Sequence, residues 1–116
     1  MNSQDFVEAL KRYVRDAAIK GTIANLKHVP GRGVRPQERA RSDWYNGLSA
    51  TEANHVNDVI AMAAHHTLFG LLVVLDGDRL IDDERGQFEL AYVTDRRVLL
   101  NDPQAIGLHD LLSASD

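Results

Sequence analysis

The chain has 116 residues, 44% of them hydrophobic and 26% charged, and no low-complexity tract, which excludes a wholly disordered chain and leaves room for one domain with a real core. It has no cysteine, so disulfides, a thiolate nucleophile and Cys-based zinc or iron–sulfur sites are excluded. The net charge of −4 is unevenly spread: residues 1–60 hold nine Lys/Arg against seven Asp/Glu, and residues 61–116 hold four against ten. That balance argues against nucleic acid as the main partner and suits a protein with a basic surface.

The opening MNSQDFVEAL carries an early acid and no apolar h-region, unlike a secretory signal. The longest apolar run falls short of the roughly 20 residues of a spanning helix. A cytoplasmic protein with no membrane segment is the expectation.

In chain order, a first helix is expected over about residues 4–20, with Phe6, Leu10, Tyr13, Val14 and Ala17 as one apolar stripe. Ser3 is the expected N-cap and Gly21 the stop. The stretch HVPGRGVRP, with two prolines and two glycines, reads as a loop. Around it lie Lys20, Lys27, Arg32, Arg35, Arg39 and Arg41 against Glu38 alone. These cations are expected to pair with the chain's own acidic half. Arg32, Arg35 and Arg39 beside a glycine-rich backbone could instead hold an oxyanion, although neither P-loop spacing nor a preceding strand is present.

Pro36 suits the first turn of a short helix over about 37–45. Trp44 and Tyr45 at its end are expected to plug the core; an exposed Trp44 would be a binding anchor. Ser49-Ala50-Thr51-Glu52 is a capping box, opening a helix over about 50–66. The run Leu71 to Leu75, closed by Asp76-Gly77, reads as a buried strand entering a hairpin. Strands are expected at about 69–75, 79–82, 87–93 and 97–101, then a short helix at about 107–113. The fold class is therefore α+β: a single domain, 1–116, with N-terminal helices packed on one face of a C-terminal antiparallel sheet of three to four strands.

Three constellations could carry chemistry. Glu52 and His55 have the i, i+3 spacing of helix-borne metal ligands, and His66 falls near the same stripe, so the three form a candidate metal site. A small metal- or anion-dependent enzyme or ligand-binding protein would use that face with the basic loop 27–41. No GxSxG motif accompanies the serines, no catalytic residue is singled out and no cofactor is implied. Asp76, Asp78, Asp82, Asp83 and Glu84 crowd the expected hairpin, and a solvated turn gives a carboxylate little reason to leave its ordinary pKa.

The segments LLVVLDGDRLI, FELAYV, VLLNDP and LHDLL resemble small uncharacterised bacterial α+β proteins of the toxin-immunity type over residues 67–112. The resemblance implies a non-enzymatic protein-binding module that neutralises a partner through an acidic surface. Asp78, Asp82, Asp83, Glu84 and Trp44 are the candidate partner-binding residues. A homodimer is left open.

Overall fold

A computed structural model describes residues 1–114. The element order is α1 (Ser3–Leu10), a π-helical segment (Lys11–Asp16), α2 (Ala17–Lys27), α3 (Pro36–Asn46), α4 (Ala50–Leu75), β1 (Ala91–Val93), β2 (Arg97–Leu99) and α5 (Leu108–Ala114). Helix and strand are mixed, broadly α+β. The chain divides into two compact units, Met1–Val14 with His66–Asp116, and Arg15–His65.

In the first unit, Asn2 rather than Ser3 caps α1, its Oδ1 accepting from the Asp5 N–H at 2.8 Å. Ser3 is already helical, and its hydroxyl donates to the Leu100 carbonyl at 2.6 Å. Val7, Leu68, Leu72, Leu108 and Leu112 form the core, with Phe6, Leu10, Phe69, Leu75, Leu90 and Leu111 packed around them. The stripe expected along the first helix stops at Leu10: Tyr13 and Val14 are exposed, as is Ala17. A π-helical turn takes more residues than an α-turn and shifts the phase of every position after it.

The strand expected at 69–75 is the last part of α4. A continuous apolar run has no period of its own. This one follows an uninterrupted capped helix; its Leu72 and Val73 are buried, as is Leu68 one turn earlier, and its Leu71 is exposed. The Asp76-Gly77 pair is accordingly no hairpin turn but a Schellman C-cap. The Asp78 N–H donates to the Val73 carbonyl and the Gly77 N–H to that of Val74, both at 3.0 Å, with Gly77 at φ +82°.

The sheet has two strands instead of three to four. β1 and β2 pair antiparallel, with Tyr92 opposite Val98, and the Leu100 N–H to Leu90 carbonyl bond (2.7 Å) extends the ladder by one step. Residues 79–82 form no strand, and 79–87 are exposed throughout. Three successive acids there keep the segment in water, where their charges remain solvated.

In the second unit, α2 runs through Gly21 to Lys27. Ile19, Ile23 and Leu26, each half-buried, continue a helical spacing that outweighs one glycine. Helix α3 begins with Pro36 at its first position and packs on α2. The Ser42 hydroxyl and the Asn46 amide donate to the Leu26 and Lys27 carbonyls, at 2.6 and 3.0 Å, and so satisfy the end of α2. Tyr45 is buried and donates its hydroxyl proton to Asn57 Oδ1 at 2.8 Å. Trp44, expected in the core, is 56% exposed. The capping box forms as expected, with the Ser49 N–H donating to Glu52 Oε1 (2.9 Å) and the Glu52 N–H to Ser49 Oγ (3.1 Å). These bonds from Ser49, the backbone one first, hold the Glu52 carboxyl below its ordinary value of 4.5.

Helix α4 is long and apolar enough to cross a membrane by length and composition, contrary to the expectation that no segment is. Only 17% of its most apolar stretch is buried, and Val59, Met62 and Leu71 lie more than half exposed.

Candidate protein-docking loop

The segment between α4 and β1 is fixed at both ends. At its start the Schellman cap turns the chain out of α4 at Gly77. Its end is held by the side chain of Asn101, which is only 7% exposed. Asn101 Nδ2 donates to the carbonyls of Leu75 (2.7 Å) and Phe88 (2.8 Å), and Oδ1 accepts from the Leu90 N–H (2.8 Å). One amide thus continues the hairpin ladder and ties it to the end of the helix.

Between these anchors, Asp78, Asp82, Asp83 and Glu84 are all exposed. Asp82, Asp83 and Glu84 make no ion pair among the described residues. Among the acids stand Leu80, Ile81 and Phe88, which are 67%, 65% and 51% exposed. Val74, Leu80, Ile81 and Phe88 line a groove of about 240 Å³ that also takes in Asp82 and Glu84. A neighbouring hollow of about 390 Å³ reaches from Leu80 and Phe88 to Asn101 and Pro103. Exposed apolar side chains thus stand beside exposed carboxylates along one loop.

Asp76 stands apart from the acids it adjoins in sequence. Its side chain is 6% exposed against 63% for Asp78. Its Oδ2 accepts from the His109 backbone N–H at 2.9 Å and lies 2.5 Å from His109 Nδ1. His109 Nε2 lies 3.5 Å from Asp78 Oδ2 and 3.4 Å from Asp110 Oδ1, and the Phe69 ring meets the imidazole edge-on at 5.6 Å. Asp76 and His109 together pin the start of α5 to the end of α4. Sequence reasoning gave His109 no role; the only signal was its place in LHDLL, at the head of a short helix.

The other candidate residues are not brought together in this way. Glu52 and His66 are fourteen positions apart on α4, about 21 Å at 1.5 Å per residue, and Glu52 is spent on the capping box. Among the described residues no three His, Asp or Glu side chains are arranged to hold a metal ion. Arg35 lines a cavity of about 360 Å³ with Thr22, Asn25 and Arg41, but its Nε is 2.7 Å from Glu38 Oε1. Arg32 and Arg39 do not line it. The pairing expected between the basic stretch and the acidic half is not seen among the described residues: Arg35 pairs with Glu38, three positions on, and Lys20, Lys27, Arg32, Arg39 and Arg41 have no carboxylate partner there. Trp44, exposed, belongs to the second unit.

No protein-family model, curated protein or solved structure matches the chain.

Proposed function

We propose that the chain is a non-enzymatic protein-binding module that engages a basic protein partner through the loop of residues 78–88, as an immunity protein covers its toxin. One observation carries this reading. Asp82, Asp83 and Glu84, free of internal ion pairs among the described residues, share an exposed loop with Leu80, Ile81 and Phe88, and the loop is anchored at Gly77 and Asn101. The acids supply long-range attraction and orientation, and the apolar side chains supply the area that a partner desolvates. Anchoring both ends lowers the entropy that binding must remove.

The test is capture of a partner from the source lysate by the wild-type chain and by D82K/D83K/E84K. All three positions are exposed, so the far-ultraviolet spectrum is expected to stay unchanged. A basic protein retained by the wild type and lost by the variant supports the reading; a partner held equally by both removes the acidic loop from it. Trp44, exposed on the second unit, is a separate anchor candidate, and W44A tests it independently of the loop.

A further inference from the structure

We infer that the partner enters the groove beside Leu80 and Phe88 as a short extended segment carrying one large apolar side chain flanked by Lys or Arg. This rests on the reading of the loop as a protein-binding surface and adds what the loop receives.

The groove measures about 240 Å³ and has room for one large side chain, and the hollow of about 390 Å³ that shares Leu80 and Phe88 with it offers the neighbouring residues of an extended segment a place to lie. A docked amphipathic helix presents a row of anchors at i, i+3, i+4 and i+7 and needs a longer trough. Strand addition is blocked along one edge, because Asn101 already holds the Leu90 N–H and the Phe88 carbonyl. An extended segment inserting a single side chain is the mode that remains.

The groove also states the charge of its ligand. Asp82 and Glu84 line it together with the apolar floor and Arg79, while Arg85 lines the adjoining hollow; the loop of residues 78–88 holds four acids against these two cations. The unit that carries it holds twelve Asp/Glu against six Lys/Arg. A cation on either side of the inserted residue meets these carboxylates; an acidic segment is repelled by the same field.

The experiment displays a library of random short peptides against the full chain, then measures the enriched peptides on wild type, L80D and E84Q. Leu80 and Glu84 are exposed, so neither change touches the core. Enriched peptides are expected to carry one Leu, Ile, Met, Phe or Trp between basic residues. Their affinity should fall roughly tenfold or more on L80D, since burying one large apolar side chain accounts for at least that factor, and a few-fold on E84Q. No enrichment, enrichment of peptides without flanking cations, or affinity indifferent to L80D would each overturn the inference. A folded basic protein captured through Asp82, Asp83 and Glu84, with no peptide competing for it, would sink this inference while leaving the proposed function standing.

Discussion

Asn101 makes three hydrogen bonds from one buried side chain, to groups on either side of the acidic loop. Removing it takes away the side-chain partner of a backbone N–H and of two carbonyls in part-buried positions. Asn101→Ala is therefore expected to cost about 2–4 kcal/mol, a fall in thermal midpoint of roughly 10 °C or more for a domain of this size. Asn101→Asp keeps the acceptor for Leu90 but loses both donors, and should recover little of the loss. A midpoint within about 2 °C of wild type for the Ala variant would show that water replaces the amide, and that it anchors nothing. Asp76 illustrates the limit of sequence at this scale. It and Asp78 are identical in type and two positions apart, yet the Asp76 side chain is buried and that of Asp78 exposed: His109, 33 residues later, holds Asp76 through both its backbone N–H and Nδ1 and meets Asp78 only at 3.5 Å through Nε2. Nothing local distinguishes them.

The helix boundaries sort by whether their signal was local. The Ser49–Glu52 box and Pro36 at the head of α3 are side-chain and ring effects within one turn, and both were legible. Asp76-Gly77 was ambiguous because a positive φ at glycine serves a hairpin and a helix C-cap equally. What decides between them is whether Thr67 to Leu75 is helical, and an all-apolar run does not say. Gly21 and Gly77 make the distinction testable. Gly21 lies inside α2, and a Cβ there would meet no atom within 4 Å, so Gly21→Ala should raise stability by about 0.5–1 kcal/mol. Gly77 needs its positive φ, and Gly77→Ala should lower stability by about 1 kcal/mol. Chemical denaturation of both variants reads the two signs; like signs would contradict one of the helix ends. The capping box adds a pH test. The folded Glu52 carboxyl titrates below its ordinary 4.5, so its contribution is complete above that value and is lost as pH falls through the folded-state value. The difference in thermal midpoint between wild type and Glu52→Ala should be open at neutral pH and narrow progressively as pH is lowered beneath 4.5. A difference that persists unchanged in acid would assign the effect to helix propensity instead.

Charge divides the whole molecule along the same line as packing. The unit with the loop of residues 78–88 holds twelve acids against six cations, and the other holds seven cations against five acids. This asymmetry and the acids of the loop were plain in the sequence. The apolar side chains interleaved with them were not, because Leu80, Ile81 and Phe88 read as strand residues until the strand failed to form. Their exposure follows from the absence of a pairing strand for residues 79–88 among the described residues, a tertiary fact. Binding at this loop should weaken with salt, as screening shortens from about 10 Å at 0.1 M to about 3 Å at 1 M. It should retain a salt-insensitive part from the apolar groove. Isothermal titration of an enriched peptide across that range separates the two parts, and an affinity flat in salt would dismiss the carboxylates as recognition elements.

The two anchors of the loop have a consequence for how such a protein could diversify. No side chain between residues 79 and 87 is buried, whereas the groups that hold the segment, the cap at Gly77 and the Asn101 amide, act through backbone atoms and ignore the identity of what they hold. Nine consecutive positions are thereby released from the demands of folding. A cassette exchanged between Asp78 and Phe88 should leave the thermal midpoint almost where it was, and under the proposed function it would change what the loop binds by replacement of one short segment.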